Sequence, residues 1–154
     1  MMDWKLIATG ITGVGIIIVA LHEVYVKLRS ILQLLLRRQT AKVAILHNQE
    51  NKDSAADFAE VLNSRGYKNV DLTAMPEALL GRQIVIIWQP KKETAAKQID
   101  AIQQAASDAV LMIFTYEQLS IQRSERVLLS NSTLRLLGDL STLAEGFEPS
   151  NRFA

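Results

Sequence analysis

The run Ile84-Val85-Ile86-Ile87-Trp88 constrains the fold more than any other stretch of this chain. Five consecutive apolar residues cannot alternate between core and water. As a strand they are buried on both faces, the position of a central strand in a parallel sheet. Parallel neighbours need crossovers of a dozen or more residues, and the flanking sequence supplies them. KVAILH at Lys42–His47 reads as a strand, followed by the polar loop NQENKDS and the helical AADFAEVLNSRG. In that helix Ser54 is the expected N-cap, Phe58, Val61 and Leu62 the buried stripe, and Gly66 the C-terminal cap. Tyr67–Thr73 reads as the next strand, and Met75-Pro76-Glu77 opens a connection that ends at Gly81, before the central run. After Gln89-Pro90-Lys91-Lys92, Glu93–Ser107 has helical spacing with Ala95, Ile99, Ile102 and Ala106 on one face, and Val110–Phe114 is a further strand. A fifth strand is expected at Arg126–Leu129, a cap at Ser130-Asn131-Ser132, and a last helix with Leu134, Leu137, Leu140 and Leu143 on one face. An irregular tail follows Gly146. The fold class is α/β, a small mostly parallel sheet with flanking helices and right-handed crossovers.

Ahead of this domain, Leu6–Leu21 carries no charge and as a helix covers roughly 24 Å. Extended from Trp4 to Tyr25 it reaches about 30 Å, with aromatic residues at headgroup level. One transmembrane helix is expected. A cleaved signal peptide fits less well, because MMDWK is barely positive and Ile18-Val19-Ala20 is no A-x-A site. Lys27, Arg29, Arg37 and Arg38 follow the span, against Lys5 before it, so the C-terminal domain is expected in the cytoplasm, anchored by a single pass in the inner membrane. The expected division is 1–40, membrane helix and helical stem, and 41–154, the α/β domain. Beyond the span the apolar spacing continues through Leu21, Val24, Leu28, Ile31 and Leu35, part of a heptad seam that begins at Ile7. Leu at its a positions with Ile or Val at d favours tetramers, so these five are candidate oligomerisation residues. The alternative is an amphipathic helix lying on the membrane surface, since Leu32, Leu34 and Leu36 broaden the stripe and basic residues flank it. Gly10, Gly13 and Gly15 form a small-residue face without GxxxG spacing, and they make no dinucleotide fingerprint, because no strand precedes them.

A length of 154 residues allows one core. With no cysteine and only His22 and His47, thiolate catalysis, disulfides, cysteine-zinc sites and three-histidine sites are excluded, and no HExxH or GxSxG pattern occurs. No metal ligand and no catalytic residue can be assigned. No glycine precedes a Lys-Ser or Lys-Thr pair as a phosphate-binding hydrolysis loop requires, so a nucleotide would be bound, not spent. The first 40 residues carry net +3 and the remainder −2. A domain of that charge lacks the basic track a long nucleic acid needs, whereas a small ligand with few phosphates fits.

Binding loops of parallel sheets gather at strand C-termini, here His47–Ser54, Trp88–Glu93, Thr115–Gln118 and Ser130–Arg135. Their chemistry nominates Lys52, Trp88, Gln89, Lys91, Lys92, Thr115, Tyr116 and Arg135 as ligand-binding residues. Lys91-Lys92 precedes a helix start, where ammonium groups and free backbone N–H groups together suit a phosphate, unless the pair is simply solvated. Trp88 has two readings, base stacking or packing at the core's rim. His47 reads as hydrogen-bonded structure. Glu50, Glu93 and Glu117 lie near the loops without an identified partner, so none is assigned as general acid or base.

A membrane helix at Leu6–Leu21, an oligomerising stem at Leu21–Leu35 and a small α/β domain with polar strand-end loops together resemble the small membrane effectors of type III CRISPR defence. In those proteins a cytoplasmic domain senses cyclic tetra-adenylate and a transmembrane region perturbs the membrane. The resemblance covers layout and length. It implies an antiviral signalling effector, a homo-tetramer around the cyclic ligand, whose binding alters the transmembrane region. Two further readings are a non-catalytic membrane-anchored scaffold binding a protein partner in an envelope assembly, and an anchored nucleotide-cleaving enzyme.

Overall fold

The structure is a computed structural model that describes residues 4–117, 119 and 126–146, with side chains at 16–117, 119, 126–144 and 146. The chain divides into two compact units between Leu36 and Arg37. The first is formed by helix α1, Trp4–Thr40, which runs on into the second. Its 37 residues make a rod of about 55 Å, with no proline to break it.

The transmembrane helix expected at Leu6–Leu21 is corrected. Among the described residues no helix is long and apolar enough to cross a membrane. The uncharged run ends at Leu21, because Glu23 follows and Lys27 and Arg29 come soon after. The uncharged run Leu6–Leu21 covers roughly 24 Å as a helix, short of the roughly 30 Å of a hydrocarbon core. The earlier part of the run, Leu6–Gly15, and the seam positions before Ile16 lie outside the described side chains. What α1 does present is apolar surface: Leu21, Val24, Leu28, Ile31 and Leu35 are all exposed, Leu28 at 63%.

The second unit is a five-stranded sheet: β1 Lys42–Leu46, β2 Asn69–Thr73, β3 Ile84–Trp88, β4 Val110–Phe114 and β5 Val127–Ser130. The order is β2-β1-β3-β4-β5 and every pairing is parallel. Helices α2 Lys52–Ser64, α3 Lys92–Ala105 and α4 Thr133–Gly146 flank it, with short 3-10 turns at Gln49–Asn51 and Pro76–Leu79. β3 lies between β1 and β4 with all five residues buried, as its unbroken apolar run requires.

Strand side chains alternate between two cores. Val43, Ile45, Ile84, Ile86, Trp88, Met112 and Phe114 pack with Phe58 and Leu62 of α2 and Leu136 and Leu140 of α4. Ala44, Leu46, Val85, Ile87, Leu111 and Ile113 pack with Leu79 and with Ile99 and Ile102 of α3. The sheet is thus covered on both faces, and each large buried side chain contributes about 1.5–3 kcal/mol.

Local signals explain most boundaries. α2 ends in a Schellman turn: Gly66 at φ +97 donates to the Asn63 carbonyl at 3.1 Å, and the Tyr67 N–H to Leu62 at 3.1 Å. Its start differs from expectation. The 3-10 turn carries the chain into the helix early, so Asn51 is the N-cap and Ser54 stands inside. Val61, expected in the buried stripe, is 39% exposed, and Ala55 and Ala59 are buried instead. In α4, Ser132 is the cap, its Oγ accepting the Arg135 N–H at 3.3 Å. The buried stripe is Leu136, Leu137, Leu140 and Ala144, with Leu134 exposed. A stripe stepped strictly by three drifts about 60° per step, so Leu134 and Leu143 lie on opposite sides of the helix. The tail after Gly146 and Gln118 lie outside the described residues.

Candidate functional site

In this strand order the chain lays β2 on one side of β1 and then crosses to lay β3 on the other. The C-terminal ends of β1 and β3 therefore lead into loops that part in opposite directions, leaving a crevice between them. A cavity of about 340 Å³ occupies that place, lined by Glu50, Asn51, Gln89, Pro90, Lys91, Thr115, Tyr116 and Glu117. A second of about 340 Å³ adjoins it, lined by Asn48, Gln49, Glu50, Lys91, Thr94 and Gln98. Glu50 and Lys91 line both.

The floor of the cleft is the β3–α3 turn. Gln89 adopts φ +46, the left-handed region, although it is not glycine, and such a residue costs roughly 1–2 kcal/mol. Two bonds fix it there. Its N–H donates to the Phe114 carbonyl at 2.7 Å, and its own carbonyl accepts Asn51 Nδ2 at 3.1 Å. Asn51 thus clamps the turn opposite with its amide N–H, and the start of α2 has no side-chain cap. Pro90, buried, then leads the chain toward α3.

Lys91 Nζ donates to Glu50 Oε1 at 2.9 Å across the rim. This hydrogen bond, reinforced by the charge of Glu50, raises the lysine's pKa above its ordinary value. The ammonium is therefore fully charged at neutral pH. Both side chains are more than half exposed, so the pair holds the loops together only weakly and is easily exchanged.

On the β4 side Thr115 is buried, its N–H bonded to Ser130 at 3.0 Å and its Oγ1 accepting the Glu117 N–H at 3.0 Å. That tight turn lifts Tyr116 out, 72% exposed, its ring edge-on to Phe114 at 5.1 Å. Below, Phe114 stacks on Trp88 at 4.3 Å and Trp88 on Phe58 at 4.8 Å. Four aromatic rings thus run from the core to the cleft.

Of the eight residues nominated from the loops, Gln89, Lys91, Thr115 and Tyr116 line one cleft. Trp88 does not. It is 5% exposed within the ring stack, and its Nε1 donates to Ser54 Oγ at 2.9 Å, which pins the start of α2 to the end of β3. Lys52 and Lys92 are exposed on the first turns of α2 and α3, outside the cleft lining. Arg135 belongs to the start of α4, beside Asp139 at 3.9 Å. Glu50 and Asn51, not nominated, supply the lysine's partner and the turn's clamp. His47 is buried at the end of β1, its Nδ1 at 3.1 Å from the Asn48 carbonyl.

No family model matches this chain, and no curated protein matches it. Its chemistry rests on the cleft's own residues, which among those described supply one ammonium, two carboxylates, one exposed phenol ring and a strained backbone turn. Among the described residues no group of three His, Asp or Glu side chains gathers as a metal site. The arrangement suits a ligand that lays a ring against Tyr116 and exchanges Glu50 for its own anionic group on Lys91.

Proposed function

We propose that this chain is a ligand-binding α/β domain whose switch-point cleft takes a nucleotide-class molecule, an aromatic base joined to a phosphate. The observation that carries this reading is the convergence of Gln89, Lys91, Thr115 and Tyr116 from two separate loops on the crevice between diverging connections. In open α/β sheets ligands bind there. A volume of about 340 Å³ lies within the range of small-molecule pockets. Tyr116 offers the stacking surface, and Lys91 is the single cation among the described lining residues. With Glu50 and Glu117 beside it, that cation suits one phosphate rather than a polyphosphate. A cyclic oligoadenylate, the messenger named by the resemblance, would present one phosphodiester and one base to each copy of the chain. The membrane-perturbing output depended on the transmembrane helix and falls with it.

A second reading, a scaffold that binds a protein partner, draws on a different observation: the exposed apolar side chains of α1.

Thermal denaturation of the full chain against adenosine monophosphate, NAD, cyclic dinucleotides and cyclic tetra-adenylate tests the first reading. Ligand at a hundredfold excess over Kd stabilises by about 2.7 kcal/mol, which raises Tm. The rise disappears in Lys91→Met and Tyr116→Ala. A flat profile across the panel favours the scaffold.

A further inference from the structure

We infer that the apolar face of α1 lies flat on the surface of an anionic lipid bilayer, buried to headgroup depth without crossing it. The helix turns by about 100° per residue, so the seam Leu21, Val24, Leu28, Ile31 and Leu35 shares one arc, about 140° wide, with Tyr25, Leu32 and Leu36. All eight are exposed. A two-stranded coiled coil needs only a narrow a/d seam, sustained over three or four heptads. Here the five seam residues span about 80° of the helix circumference, and the exposed apolar arc about 140°. That width suits a planar apolar medium better than a second helix.

The charges fit the same occupant. Lys27 and Arg29, both exposed, fall at the two opposite margins of the arc, within about 40° of its edges. From there their stems lie along the apolar surface while the charged heads reach phosphate groups. Glu23, the only acid between Leu21 and Leu36, points about 150° from the arc's centre, away from the bilayer.

The test is flotation of the full chain with vesicles of pure phosphatidylcholine and with vesicles containing phosphatidylglycerol, at low and high salt. Capture is expected on the anionic vesicles and to weaken as salt screens the charges. The double variant Lys27→Glu/Arg29→Glu is expected to lower partitioning about tenfold or more, and Leu28→Asp/Ile31→Asp to abolish it, with an unchanged circular dichroism spectrum and Tm showing that the domain is folded. Equal capture on neutral vesicles, insensitive to these variants, overturns the inference, because a segment ahead of Ile16 would then be inserting. Absence of capture also overturns it. If the chain then sediments as a defined oligomer that Leu28→Asp dissociates, the occupant of the face is a second copy.

Discussion

Gln89 holds the cleft's shape at a cost. Its left-handed backbone at φ +46 is sustained by Asn51 and Phe114, and strain of this kind collects where a site must be preorganised. Glycine removes the steric penalty of roughly 1–2 kcal/mol but loses about 0.5–1 kcal/mol more in chain entropy. Gln89→Gly is therefore expected to leave the fold intact and raise Tm by about 2 °C, measured by thermal denaturation of the full chain. A fall in Tm would mean that the Gln89 side chain contributes more than the backbone strain removes. In the sequence, Gln-Pro at 89–90 is legible as a turn, and Lys91, Thr115 and Tyr116 are legible as loop residues. The sign of φ is not, because it is set by an amide 38 positions earlier and a carbonyl on another strand. For the same reason Trp88 could be read two ways. Its ring is occupied by Phe58 and Phe114 and its N–H by Ser54, partners that only folding brings near.

At the scale of elements, periodicity located every strand and helix of the α/β domain, since an apolar residue leaves the core if its element adopts the wrong repeat. Ends and stripe edges shifted where local bonds competed. The 3-10 turn at Gln49–Asn51 begins α2 before its expected cap, and β5 runs Val127–Ser130 in register with Leu111–Phe114. α4 gives the sharpest contrast. Leu136 is fully buried and Leu134 is 78% exposed, although the two are only two residues apart. Leu136→Ala is expected to cost about 2–5 kcal/mol, and Leu134→Ala less than about 0.5 kcal/mol. Urea denaturation of the two variants checks this, and equal losses would restore the stripe through Leu134.

At the scale of the molecule, the two units have separate supports. Both hydrophobic clusters of the domain draw on residues from Ala41 to Ala144, and none of their members precedes Arg37. Arg37–Ala154 is therefore expected to fold alone and to melt cooperatively at a Tm close to that of the full chain, measured by circular dichroism. A molten or aggregating fragment would show that α1 contributes to the domain's core. The sequence by itself determined the class of the domain, the central place of β3 and the set of polar loops at strand ends, because each follows from local repeat and composition. It also determined that α1 carries an apolar face. Only the tertiary structure decided that β2 and β3 take opposite sides of β1, which opens the crevice, and that Glu50 meets Lys91 and Asn51 meets Gln89 across it. Those contacts join residues about forty positions apart. Their energies, a few kcal/mol at most, are too small to imprint a pattern on the chain and take effect only after burial of the sheet has brought the loops together.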